Sequence, residues 1–148
     1  NNKIIRKATY NEELSVLPSY KWSYETVFEL ANECNRSAAL FSETGGTHCC
    51  ALSTDGKEVF IGEDIGRHNA VDKTIGMALT AKKSLSSAIL FTTGRIPSDM
   101  VIKVIRCGIP VIASHSAPTN EAVELARQFN LTLIGFVRGR RLNIYAGK

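Results

Sequence analysis

Residues 88–113 read Ala-Ile-Leu-Phe-Thr-Thr-Gly-Arg-Ile-Pro-Ser-Asp-Met-Val-Ile-Lys-Val-Ile-Arg-Cys-Gly-Ile-Pro-Val-Ile-Ala, and they decide the fold class. Residues 88–91 read as a strand. The loop Thr92-Thr93-Gly94-Arg95 leads from it into a helix opened by Pro97 and closed at Gly108, and residues 111–113 form the next strand. The same grammar lies on either side. Upstream, the strand at 59–61 passes through Glu63-Asp64-Ile65-Gly66-Arg67-His68 into a helix from about Asn69 to Thr80. Downstream, the strand at 111–113 passes through Ser114-His115-Ser116 into a helix near Pro118 that runs to Phe129. Strand, short loop and helix, repeated in this way, predict an α/β layer with some parallel strands.

Further out the pattern loosens. Ser23 reads as an N-cap, with Val27, Leu30, Ala31 and Cys34 at helical spacing behind it. Residues 35–37 are expected to interrupt that helix before 38–41. Gly45-Gly46 turns the chain into a strand at 47–53, where His48, Cys50 and Leu52 share one face. Asp55-Gly56 is a hairpin signal, and residues 58–62 return as the next strand. Residues 131–137 and 142–145 close the chain as two strands around Arg138-Gly139-Arg140-Arg141. The first 19 residues are polar and weakly patterned, so 1–22 are expected as a loose N-terminal segment and 23–148 as one α/β domain.

Composition agrees with a single cored domain: of 148 residues 44% are hydrophobic and 22% charged, with no internal repeat. No apolar stretch approaches the roughly 18 residues of a membrane span, and no signal-peptide pattern opens the chain. A start at Asn1, without methionine, reads as a piece of something longer. Lys and Arg number 18 against 14 Asp and Glu, an excess too dilute for the dense basic stripe of a nucleic-acid binder. Of the four cysteines, Cys49 and Cys50 are adjacent, while Cys34 and Cys107 sit on apolar helix faces. They read as free buried thiols of a cytoplasmic protein, not as a disulfide framework.

Parallel strands followed by helices put their connecting loops on one edge of the sheet, where ligands bind. Three features there suit anions. Gly66-Arg67-His68 and Gly94-Arg95 precede helices, whose free N–H groups favour negative charge, and Ser114-His115-Ser116 adds a polar loop. Arg138, Arg140 and Arg141 crowd the last turn, and guanidinium forks match phosphate oxygens. Structural readings stand beside these. Asn69 serves as an N-cap with Asp72 at N3; the glycines serve their turns; Arg67 and Arg95 make surface ion pairs; the arginine turn is a solvated hairpin tip. His68, between Asp64 and Asp72, is either an acid–base group or a hydrogen-bonded helix-start histidine. Searches for a metal or a nucleophile come out negative. Neighbouring strand residues such as His48, Cys49 and Cys50 cannot wrap one tetrahedral ion, and the chain has no Cys-x-x-Cys. The zinc deaminase pattern, His-x-Glu with Pro-Cys-x-x-Cys, is missing too.

The run Phe41-x-x-Thr44-Gly45-Gly46-x-His48, followed by Glu63-Asp64-Ile65-Gly66-Arg67-His68-Asn69-Ala70-Val71-Asp72-Lys73, resembles the formate dehydrogenase accessory protein family, FdhD. Thr93-Gly94-Arg95-Ile96, Ala117-Pro118-Thr119, Gly135-Phe136-Val137-Arg138 and Asn143-x-Tyr145 fit it as well, so the likeness covers about 38–145. The resemblance implies a three-layer mixed sheet with helices on both faces, similar to cytidine deaminases without their zinc. It implies a sulfurtransferase that takes persulfide sulfur from a cysteine desulfurase. The sulfur passes to the bis-molybdopterin guanine dinucleotide cofactor, needed by formate dehydrogenase. Within the family the cofactor is held by the stretch matching Phe136, Val137, Arg138, Gly139, Arg140 and Arg141; the loop-edge argument adds Arg67, His68 and Arg95. No nucleic acid, membrane or metal enters this picture, and a homodimer is compatible with it. The family's persulfide cysteine belongs to a Cys-x-x-Cys motif with no counterpart here, so Cys49 and Cys50 do not inherit its role. A binding chaperone without chemistry and a deaminase-like small-molecule enzyme are the alternatives.

Overall fold

The computed structural model describes residues 14–40, 46–55 and 58–147, the side chains of 38–40 excepted. Helix α1 spans Tyr24–Leu40 and starts where Ser23 Oγ accepts the Thr26 N–H at 3.4 Å. The expected interruption at 35–37 does not occur. Asn and Ser each cost a helix roughly 0.5 kcal/mol relative to Ala, and tertiary contact outweighs that. Cys34 is wholly buried, and the Ser37 hydroxyl donates to the Glu63 carboxylate.

Strands β1 (His48–Thr54) and β2 (Glu58–Asp64) form the expected antiparallel hairpin, with Thr54 opposite Glu58 and His48 opposite Asp64. Gly56 of the turn lies outside the described residues. Helix α2 (Arg67–Thr80) begins two residues before the expected Asn69, so Arg67 and His68 belong to its first turn. The N-cap is Gly66, not Asn69, and the chain bends there because the Asp64 carboxylate accepts the Gly66 N–H at 3.0 Å. Asp72 is therefore too far along the helix to stand at N3; it pairs instead with Lys103 Nζ at 2.8 Å.

A short 3-10 turn (Leu85–Ser87) leads into β3 (Ala88–Thr92). Then follow α3 (Ser98–Arg106) with Pro97 at its N-cap, β4 (Val111–Ser114), and α4 (Asn120–Gln128), capped by Thr119 Oγ1 accepting from Ala122 N–H. Strands β5 (Thr132–Arg138) and β6 (Arg141–Ala146) close the chain around Gly139 and Arg140. Residues 14–22 carry no helix or strand, but Leu14 and Leu17 are buried and the Leu17 N–H donates to Phe129 O at 2.8 Å.

The six strands lie in the order β2-β1-β3-β4-β5-β6. Pairs β3–β4 and β4–β5 are parallel, the other three antiparallel. Because β1 opposes both neighbours, β2 runs the same way as β3, β4 and β5. The C-terminal ends of those four strands, with the starts of β1 and β6, thus share one edge.

Strand alternation sorts the core into two layers. Cys49, Ala51, Ile89, Phe91, Val111, Ala113, Ile134 and Val137 face α1. Cys50, Leu52, Leu90, Ile112 and Leu133 face α2, α3 and α4. The molecule is a three-layer α/β fold with helices on both faces of a mixed sheet. Each fully buried Leu, Ile or Phe contributes about 1.5–3 kcal/mol. All four cysteines are free thiols; Cys34, Cys49 and Cys50 are buried, and Cys107 is half-buried at the C-cap of α3. Burial pushes the Cys50 thiol well above its usual value.

Candidate anion-binding edge

The loops along the shared edge are tied to one another in sequence. Gly94 N–H donates to Thr92 Oγ1 at 3.1 Å, closing the turn after β3. The Gly94 carbonyl accepts from Ser114 Oγ at 2.6 Å, and Ser114 Oγ accepts the Ser116 N–H at 3.0 Å. Ser116 O in turn accepts the Phe136 N–H at 3.3 Å. Ile96 and Pro118 add a parallel bridge between the β3 and β4 loops. Serines 114 and 116 therefore act as latches, which their polar, unpatterned appearance in sequence did not distinguish from ligand contacts. His115 is likewise engaged. Its Nδ1 lies 2.9 Å from Val137 O, a carbonyl that can only accept, so Nδ1 carries the proton; its ring packs edge-on against Phe91.

The turn from Phe136 to Arg141 stands at the β5–β6 end of this strip. A register irregularity between Gly135 and Arg138 bulges β5 here, and Phe136 adopts φ +52°, a left-handed conformation costly for a side chain with a Cβ. Gly135 allows the bulge to seat: a Cβ there would lie 2.9 Å from Ser116 O and 3.1 Å from Pro118 Cδ. Phe136 consequently presents its ring outward, 40% exposed. Val137 is buried against α1 and offers a ligand no side chain. Gly139, at φ +59°, makes the tight reversal.

The three arginines do not converge. Arg140 leans over α1, where its fork meets both oxygens of Glu25, one at 3.3 Å, and its guanidinium lies 5.0 Å from the Phe28 ring centre. Arg140 holds the Glu25 carboxyl below the usual carboxylate range. Arg138 and Arg141 are partners across the hairpin, so alternation sends them to the same side, and both are exposed. A groove of about 890 Å³ opens beside this turn, lined by Tyr24, Glu25 and Phe28 from α1 and by residues 140–144.

The remaining candidates sit towards the other end. Arg95 is exposed on the β3 loop. His68 Nε2 lies 3.3 Å from Asp99 Oδ2 at the start of α3, so this histidine joins two helix starts. Arg67 is half-buried, and its Nε is enclosed without a hydrogen-bond acceptor among the described residues. Gly66 N–H and then Lys73 hold the Asp64 carboxyl low, and with Asn69 they occupy it. Sequence reasoning missed His48 and Thr93, whose side chains meet at 3.4 Å, because the strand pairing that joins them is long-range. Among the described residues no group of three or more His, Cys, Asp or Glu side chains could hold a metal ion, and no helix is long and apolar enough to cross a membrane.

The fold and its loop edge define a three-layer α/β protein whose strand-end loops are latched to one another and carry exposed arginines. The model of the FdhD/NarQ family matches residues 2–148, and the chain belongs to that family. Among curated proteins it is 44% identical over 132 residues to the sulfur carrier protein FdhD of Streptomyces coelicolor, covering 88% of this chain and 47% of that protein. It is 46% identical over 111 residues to the sulfur carrier protein FdhD of Methanothermobacter thermautotrophicus, covering 75% of this chain and 44% of that protein. The chain thus spans about half the length of these relatives. A putative formate dehydrogenase accessory protein from Desulfotalea psychrophila superimposes with a TM-score of 0.81 at 34% identity, over 94% of this chain and 60% of that one. A diaminohydroxyphosphoribosylaminopyrimidine deaminase/reductase from Thermotoga maritima shares the fold at a TM-score of 0.61 and 18% identity, over 77% of this chain and 37% of that one.

Proposed function

We propose that this chain is the cofactor-binding body of an accessory sulfurtransferase serving formate dehydrogenase. Its substrate is the bis-molybdopterin guanine dinucleotide cofactor, which it holds along the loop edge while persulfide sulfur from a cysteine desulfurase is delivered. The observation that carries the reading is the bulged, latched turn from Phe136 to Arg141 on the ligand edge of the sheet. Arg138 and Arg141, with no side-chain partner among the described residues, supply two guanidinium forks for phosphate oxygens. The exposed Phe136 ring offers a flat face for a base. Gly139 lets the main chain approach closely. Arg67, His68 and Arg95 extend the positive edge towards β1 and β3. Cys34, Cys49 and Cys50 are buried and Cys107 is half-buried at a helix end, which supports assigning the persulfide to a cysteine other than these four.

Calorimetric titration of GDP, a fragment of the cofactor, tests the binding half. Arg138→Ala should weaken GDP about ten- to a hundredfold, the worth of one charge-assisted hydrogen bond. Arg140→Ala should weaken it less, since Glu25 already occupies that fork. Unchanged affinity in a folded Arg138→Ala variant would return the turn to a solvated hairpin tip. A second reading, a cofactor chaperone without chemistry, is favoured by those same thiols. Mass spectrometry of the full-length protein after incubation with cysteine and a desulfurase separates the two: a persulfide supports sulfur transfer, its absence the chaperone.

A further inference from the structure

Towards β1 and β3 the loop edge carries a second set of donors that the arginine turn does not use. Thr93 Oγ1 accepts the Cys49 N–H at 3.0 Å and stands 3.4 Å from His48 Nδ1, to which its hydroxyl can donate. With Nδ1 accepting, a neutral His48 carries its proton on Nε2 and is a donor there. A Cβ placed on Gly94 would lie 2.8 Å from Arg67 Cβ, 3.2 Å from Arg67 Cδ and 3.5 Å from His48 Nδ1. The bare glycine is thus the seat across which the Arg67 stem lies, beside the imidazole. The Arg67 Nε is buried there with no acceptor among the described residues, a costly state for a cationic N–H.

Among the described residues the nearby acids are engaged elsewhere. Asp64 is held by Gly66, Asn69 and Lys73; Asp99 faces His68; Glu63 takes the Ser37 hydroxyl. Among the described residues no carboxylate pairs with Arg67 or His48, whose stem and ring adjoin at Gly94.

We propose that Arg67, His48 and the Thr93-Gly94 loop form a second oxyanion subsite, for a tetrahedral phosphate or oxo-metal group. Its Thr93-Gly94 loop lies two strands from β5 and His48 three, about 10–14 Å from the arginine turn at ordinary strand spacing. This inference rests on the reading that the edge holds a phosphate-bearing cofactor, and it names what the far end of that edge accepts. One long ligand can then be gripped at two points, by its nucleotide end at Phe136–Arg141 and by a second anionic group at Arg67.

The test is calorimetric titration of tungstate and, separately, of inorganic pyrophosphate into protein already saturated with GDP, so that the arginine turn is occupied. At least one of the two should bind without displacing GDP. Arg67→Met, which keeps the stem on Gly94 and removes the fork, should weaken it about tenfold or more. His48→Asn should weaken it by a smaller factor, and it decides the matter alone if Arg67→Met does not fold. The tighter of the two probes identifies the group as oxo-metal or phosphate. Unchanged oxyanion affinity in a folded variant, or an oxyanion that simply competes with GDP, overturns the inference. GDP binding without oxyanion binding sinks the subsite and leaves the proposed function standing. Oxyanion binding through Arg67 in a protein that ignores GDP does the reverse.

Discussion

Replacing Gly135 by alanine drives a methyl group into the bulge that seats the arginine turn. The new Cβ would lie 2.7 Å from Tyr145 Cε2, 2.9 Å from Ser116 O and 3.1 Å from Pro118 Cδ. Carbon contacts are comfortable at about 3.5–4.0 Å, so all three neighbours must retreat. The Tyr145 ring is half-buried and can turn aside. Ser116 O and the Pro118 ring belong to the backbone of the loop before α4, and that loop must lift. Lifting it breaks the Phe136 N–H to Ser116 O bond, 3.3 Å long in the native bulge. Overpacking of this kind costs about 1–3 kcal/mol and a lost hydrogen bond about 0.5–1.5 kcal/mol. The sum, about 1.5–4.5 kcal/mol, lowers Tm by roughly 4–14 °C in a domain of this size. Differential scanning calorimetry measures the first effect, and GDP titration of the folded variant the second, a loss of about tenfold or more. A variant that melts within about 2 °C of wild type and binds GDP normally would refute the claim that the Ser116 latch positions the turn.

Gly76 gives the opposite sign: it is an exposed interior residue of α2 with nothing within 4 Å of an added Cβ. Gly76→Ala should therefore stabilise by about 0.5–1 kcal/mol in a denaturant titration. Asp64, held low by Gly66 and Lys73, contributes stability above its unfolded value near pH 4 and loses it as pH falls through its depressed folded value. Thermal melts of wild type and Asp64→Asn should differ by a constant amount between about pH 5 and 7 and converge below about pH 4. Native alkylation followed by peptide mapping should modify the half-buried Cys107 first, with Cys50, wholly buried and its thiol held protonated by burial, last.

The strand–loop–helix units around residues 59–129 were legible because each rests on local signals: apolar runs for strands, and Pro97 and Gly108 at the two ends of α3. Local signals also misled. Asn69 is a good N-cap by type, yet Gly66 caps α2 because the Asp64 carboxylate, two residues back, bends the chain there. Residues 35–37 look helix-breaking, and only the burial of Cys34 and the reach of Ser37 to Glu63, 26 residues away, explain why α1 continues. The strand order was beyond local reading, and with it went every contact that crosses the sheet edge. Arg140 meets Glu25 across 115 residues of sequence, so the commitment of one of the three forks was invisible beforehand. His48 and Thr93, 45 residues apart, are neighbours only once β1 is paired with β3.

On the proposed function the loop edge receives the nucleotide at its Phe136–Arg141 end. Amide chemical-shift mapping of the isotope-labelled chain during GDP titration tests this most directly, because a shallow cleft lies on the opposite edge, lined by Pro18, Asn130, Thr132 and Gly147. The expected result is a set of saturating shifts concentrated at Gly135–Leu142 and Ser114–Ser116, with Asn130 and Gly147 unmoved. Shifts centred on Asn130 and Gly147, or none anywhere at saturating GDP, would contradict it.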